Sequence, residues 1–574
     1  MKVKQNKQAD AKFHIHLIIK RFYMKFLFSC LSGFLIFCWI PHFTSAQVHF
    51  THQDTLRGSN TPQRAWWDVV FYDLHVQFFI DQKQIAGSNT ITYRVVGRPQ
   101  DMQIDLMQPL TLDSAVQDGH ALSFHRDGNA YFIRLQSPQP LHGLKTLTLY
   151  YHGKPHEAIR PPWQGGVTWT QDSLGNPWVV TSCQGFGASS WWPCKDYLGD
   201  EPDSQQIAIT VPDTLIDVSN GRLRRVVSHP DTHTQTFVWF VDDPINNYDV
   251  AVNIGKYTHW QDVYHGLNGE LTLNYWVMPY HLEQSHIQFQ QVKSMLKCFE
   301  YWFGPYPWYR DGYQLVETPY LGMEHQSCIA YGNHYENGYL GRDLSLTGWG
   351  LNWDFIIVHE SAHEWFGNNI TDKDIADMWI HESFANYAEA LYVECQYGKK
   401  AGEEYVIGCQ QNIQNDRPII GYYGVNNEGS EDMYYKGGNM LNMIRQIIHN
   451  DSLWRQILHG LNQTFWHQTV TSRQIEQYII HKSHINLQPI FDQYLRTTNI
   501  PRLVYAFQGN KLYYRFTNAI PHFHMPVDVV IDNRTYRLQV NTQWQEIHIP
   551  LQHQHSVEVN PNYYILLREV KAPE

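Results

Sequence analysis

The segment 358–368, VHESAHEWFGN, sets His359 and His363 four positions apart, with Glu360 directly after the first histidine. On a helix that spacing stacks the two imidazoles one turn apart on one face, where both can reach a single ion. Zinc binds neutral imidazole nitrogen, and a catalytic zinc takes three protein ligands and keeps a fourth position for water. Glu360 would lie beside that water without ligating the metal, the place of a general base. Two histidines at this spacing can also arise by accident in a chain with 32 of them, so a third ligand matters more. Glu382 follows in MWIHESFANYAEALYVE, a second helical stretch whose Trp379, Ile380, Phe384 and Tyr387 mark it as largely buried. His359, His363 and Glu382 together predict one Zn2+ per chain with an open position.

HESAHEWFGN followed by WIHESFANYAE resembles the zinc aminopeptidases of the aminopeptidase N and leukotriene hydrolase family, the gluzincins. Their pattern is H-E-x-x-H-x18-E, with W-F-G-N after the second histidine and W-L-N-E-G-F-A around the glutamate. His381 and Ser383 stand here where that second segment has Asn and Gly. YLGMEHQ, 320–326, is similar to the family's G-x-M-E-N motif. The resemblance implies substrate contacts at Gly322, Met323 and Glu324, the last binding the free α-amino group. Leu321 and His325 depart from that motif. MYYKGG resembles the Y-x-K-G segment and implies that Tyr434, rather than Tyr435, stabilises the oxyanion. SCQGFGASSWWPCKDYLGDEPDS, 182–204, is similar to the stretch that places a Glu or Gln at the first substrate residue, here Gln184; the family's usual Arg falls at Ser189.

These residues need elements to hold them. From Gln47 to about Tyr257 the chain reads as strands, such as VVFYDLHVQFFID and KTLTLYYHG, separated by Gly, Pro and Asp. LEQSHIQFQQVKSMLKCFEYWFG then has helical apolar spacing. Helices are predicted near 352–367, 375–397, 437–449, 452–462 and 472–483, and strands return after TTNIPRL. The expected class is multidomain α+β: a leader over 1–46, an antiparallel β domain over 47–258, a mostly helical zinc domain over 259–497 and a small C-terminal β-sandwich over 498–574. The family resemblance implies the same order, as a β saddle, a thermolysin-like catalytic domain and a sandwich, without the fourth helical domain that many members carry.

Composition excludes other classes. Charged residues are only 17% against 43% hydrophobic, and the formal net charge is -12. That balance argues against disorder and against a polybasic nucleic-acid surface. Lys20, Arg21 and Lys25 precede the apolar run FLFSCLSGFLIFCWI, and TSA before Gln47 offers small residues for cleavage. The run is too short to span a bilayer, so export to the periplasm or exterior is expected, with no stable membrane insertion after cleavage. Met24 offers an alternative start, and lipid attachment at Cys30 would need a longer apolar stretch before it. Outside the leader six cysteines remain, too sparse for a disulfide scaffold and not pairable from sequence. His52, His265, His553 and His555 have no ligand partners in sequence. The expected partners are peptides with a free N-terminus; the oligomeric state stays open. A thermolysin-type endopeptidase would share the three ligands but not need Glu324; a lipid epoxide hydrolase has no specific sequence feature in its support, and intact Glu360 and Tyr434 count against an inactive zinc-containing peptide binder.

Overall fold

The structure, a computed structural model, describes residues 49–549 and 556–573. The expected leader, with Met24 and Cys30, and His553 and His555 lie outside the described residues. No described helix is long and apolar enough to cross a membrane.

The first half is a large twisted sheet with smaller ones against it. Strand Trp67–Phe79 alternates, burying Tyr72, Leu74, Val76 and Phe78 on one face. It pairs antiparallel with Gln84–Val95, whose outer neighbours are Leu144–Gly153 and Thr111–Gln117. On its other side it pairs parallel with Ser204–Pro212. The eight-stranded sheet is therefore mixed, not purely antiparallel as the short turns between strands imply. The chain from Phe79 to Ser204 is long enough for the crossover that a parallel pair requires. A four-stranded sheet of Ile216–Val218, Asn253–Gly255, Pro177–Ser182 and Gly166–Gln171 and a three-stranded sheet of Met102–Asp105, Ala130–Ile133 and Phe124–Asp127 complete this half.

A five-stranded sheet begins with the hairpin Thr258–Gly266 and Gly269–Val277 and continues through Tyr313–Glu317 and Ile329–Tyr331. Gly322–Met323 forms its edge, antiparallel to Ile329–Tyr331. The long amphipathic stretch before it is two helices, Leu282–Gln288 and Gln291–Phe303, broken at Phe289 and Gln290. Cys298 of the second forms a disulfide with Cys395. The helices Trp379–Tyr397, Tyr435–Ile448, Asp451–Thr464 and Ser472–Ser483 occupy the expected positions, and Lys399–Gly408 and Gln488–Arg496 are added to them. The tail contains a four-stranded and a three-stranded sheet. One apolar cluster runs from Leu271 through the helices into Leu503, Val527 and Tyr563, so the tail shares its core with the helical part.

Helices Trp379–Tyr397 and Tyr435–Ile448 approach closely because Gly437 lacks a side chain: a Cβ there would lie 1.8 Å from Ser383 Oγ. That hydroxyl donates to Met433 O at 2.6 Å. Gly437→Ala is expected to cost about 1–3 kcal/mol by overpacking, with part regained in the Gly437→Ala/Ser383→Gly double variant, measured by denaturant unfolding.

Candidate active site

The motif helix is Phe355–Ala362. Asp354 caps its start by accepting from the Ile356 and Ile357 N–H groups, at 3.1 and 3.3 Å. Gln288, Tyr331 and Asn333 also donate to the Asp354 carboxylate, so the helix origin is tied to two other segments. The predicted helix to residue 367 instead ends at Ala362, with His363 as its C-cap. Phe366 has φ -128° and Gly367 φ 141°, values that break the helical path. Each residue of WFGN serves that turn. Trp365 Nε1 donates to Gly304 O at 3.0 Å, and Phe366 stacks on Phe384 with centroids 4.2 Å apart. A Cβ on Gly367 would stand 3.2 Å from His363 Nδ1, and Asn368 Nδ2 donates to Glu324 O at 2.8 Å.

The turn fixes the ring of His363, whose Nδ1 lies 3.0 Å from Phe366 O. His359 Nδ1 lies 2.7 Å from Glu389 Oε1. With both Nδ1 atoms engaged, both Nε2 atoms point at Glu382 Oε2, at 3.6 Å from His359 and 3.4 Å from His363. Glu382 is buried, and its Oε2 has no hydrogen-bond partner among the described residues. Burial opposes its ionisation, but the charges of His363 and His359 hold its carboxyl below the ordinary range, in the form that ligates. Two imidazole nitrogens and one orphaned carboxylate oxygen, all within 4.8 Å of one another, fit a divalent cation. The N2O donor set suits zinc.

Glu360 lines the cleft beside this cradle. Burial pushes its carboxyl up to about 7, with the two imidazoles pulling the other way. A Cβ on Gly322 would lie 2.7 Å from Glu360 Oε1, so the edge strand passes close only because that position is glycine. Met323 is buried behind it. Glu324 is buried, with Oε2 at 3.2 Å from His363 Nε2. Burial opposes its ionisation too, and His363 and His381 hold its carboxyl below the ordinary range. Gln184, Glu324, Glu360 and Tyr434 all line one cleft of about 780 Å³, open to solvent. Tyr434 places its ring 6.1 Å from that of His359. The structure thus brings together every site residue that the sequence singles out. Ser189 is not among them: it is buried, and its hydroxyl donates to Asp196, which also pairs with Arg57.

Residues 287–494 match the model of the peptidase family M1 domain. That span contains both histidines, Glu360, Glu382 and Tyr434 in the geometry above. Residues 287–494 are an M1 peptidase domain. The chain is 23% identical over 345 residues to leukotriene A-4 hydrolase of Xenopus laevis, covering 56% of this chain and 53% of that protein. It is 23% identical over 323 residues to tricorn protease-interacting factor F2 of Thermoplasma acidophilum, over 54% and 37% respectively. The chain thus spans about half or less of the length of these curated relatives. In fold it is similar to an M1 zinc metallopeptidase of Deinococcus radiodurans, at a TM-score of 0.65 and 19% identity, over 76% of this chain and 95% of that one.

Three residues of the M1 domain and its surroundings escape the sequence reading. Glu389 lies two helical turns after Glu382 on the same face, a spacing that could have marked it. It accepts from Tyr405 OH at 2.8 Å as well as facing His359. Tyr248 reaches the site from a distant segment, and Asp372, nine residues before His381, carries no helical or strand spacing that would mark it. Because Glu389 orients the first imidazole, Glu389→Ala is expected to weaken zinc binding about 10–100-fold. Competition with a chromogenic chelator measures this directly.

Proposed function

We propose that this chain is an exported zinc aminopeptidase that removes the N-terminal residue from peptides. The observation that carries the reading is the position of Glu324. Its carboxylate lies against the same imidazole that faces Glu382, with Oε2 3.2 Å from His363 Nε2. A carboxylate there would neutralise a free α-ammonium and hold it beside the His359–His363–Glu382 cradle. Only the first peptide bond then falls over the reacting centre.

His359, His363 and Glu382 hold the zinc, which supplies Lewis acidity and lowers the pKa of water when bound. Glu360 takes a proton from the attacking water and returns it to the leaving amine. Tyr434, which lines the same cleft, donates to the developing oxyanion. Gln184 lines the place of the first side chain, and Gly322 and Met323 form the edge strand against which the peptide backbone lies. Export is supported by the leader sequence and by the Cys298–Cys395 disulfide, a bond that persists in oxidising compartments. The limits 47–258, 259–497 and 498–574, with the last as a β-sandwich, are supported by the new sheet that begins at Thr258 and by the change from helices to strands near 497.

A panel of aminoacyl anilides and their N-acetyl counterparts tests the activity. Hydrolysis confined to free-amine substrates, lost on chelation and restored by zinc, is the expected result. Equal hydrolysis of acetylated substrates would favour an endopeptidase, and zinc binding without any turnover would favour a peptide binder.

A further inference from the structure

Glu324 is held by more than its own strand. Its Oε1 accepts from Tyr248 OH at 2.7 Å and faces His381 Nδ1 at 3.4 Å. Its other oxygen, Oε2, is the one that faces the zinc cradle. Tyr248 comes from the short turn Asn247–Asp249 of the β half, and His381 from the helix that also carries Glu382. Both are buried.

The ring of His381 is itself anchored. Asp372 meets its Nε2 twice, with the backbone N at 2.9 Å and Oδ1 at 2.8 Å. Nε2 accepts from the Asp372 backbone N–H, so the ring's proton sits on Nδ1, which presents it toward Glu324. Asp372 ends the strand Ile370–Asp372, which follows directly from the turn that sets His363. One continuous segment therefore orients both the metal-facing imidazole and the partner of Glu324.

We infer that His381 and Tyr248 are positioning residues that pin Oε1 of Glu324 and thereby aim Oε2 at the substrate's α-ammonium. This rests on the aminopeptidase reading above. Neither residue lines the cleft that holds Glu360, Glu382 and Tyr434; each acts there through Glu324. His381 stands where the resembling motif has Asn, and the two side chains share one feature. The carboxamide N of Asn occupies the place of a histidine Nδ1, whereas that of Gln reaches the place of Nε2.

That difference makes the test. Two hydroxamate inhibitors are compared, an α-amino acid hydroxamate and its des-amino analogue, which differ only in the ammonium group. The ratio of their inhibition constants reports amine recognition alone, and zinc content is measured for every variant. His381→Asn keeps a donor toward Glu324 and is expected to hold the ratio within about threefold of the wild type. His381→Gln keeps the Asp372 contact but loses the donor, and is expected to cut the ratio about 10-fold, the scale of one hydrogen bond to a charged group. Tyr248→Phe, which removes the other donor to the same oxygen, is expected to reduce it likewise. A ratio unchanged in His381→Gln, or equal losses in the Asn and Gln variants, would overturn the inference. Should His381→Gln fail to fold, an unchanged ratio in Tyr248→Phe would overturn it. Glu324→Ala separates the levels: if that variant keeps the wild-type ratio, the amine-anchor reading itself is wrong.

Discussion

Glu360→Gln is expected to lower kcat by about 10²–10⁴-fold, the usual contribution of a positioned general base. KM should change little and zinc should remain at one per chain. The amide keeps the volume of the carboxylate and fits against Gly322, where the edge strand leaves no room for a larger neighbour. What it loses is the ability to take a proton. The carboxyl itself is pushed up to about 7 by burial in the cleft wall, and a bound divalent cation beside it works in the opposite direction, toward the ionised base. Steady-state kinetics on an aminoacyl anilide, with metal analysis on the same sample, checks both halves. A loss of zinc along with activity would mean that Glu360 supports the cradle rather than the chemistry.

Glu382→Ala is expected to abolish activity down to the level of the chelated wild type and to remove stoichiometric zinc. Its Oε2 is a buried oxygen that both Nε2 atoms face, and it has no hydrogen-bond partner among the described residues. Without it two imidazoles remain, short of the three protein ligands that a catalytic zinc takes. Zinc-dependent thermal stabilisation, present in the wild type, should vanish in the variant. Retention of that stabilisation would point to Glu324 as the third ligand, since it too approaches His363 Nε2.

Much of this site can be read from local sequence because its parts lie on a few short segments. The His359–His363 pair, Glu360 and Glu382 follow from helical spacing and from the apolar residues that bury the second helix. The W-F-G-N segment matches by resemblance, but its physical role, a chain reversal that locks the His363 ring, needs coordinates. Glu389 obeys the same helical spacing as Glu382 and was within reach of the same reasoning. Tyr248 and Asp372 were not, because what makes them important is tertiary packing across the β half and the helices. The same limit holds for the fold. Alternation identifies Trp67–Phe79 as a strand, yet its parallel partner Ser204–Pro212 is set by a long crossover that leaves no periodic trace. Apolar spacing runs without interruption through Phe289 and Gln290, so it gives no warning of the break between two helices there.

The central claim is that this cleft reads a free amino terminus before it cuts. The most direct measurement follows one unblocked peptide and its N-acetylated twin by mass spectrometry over time with the zinc-loaded protein. The account predicts a ladder of products shortened one residue at a time from the N-terminus of the free peptide, with the acetylated twin left intact. Internal cleavage, or equal loss of both peptides, would contradict it.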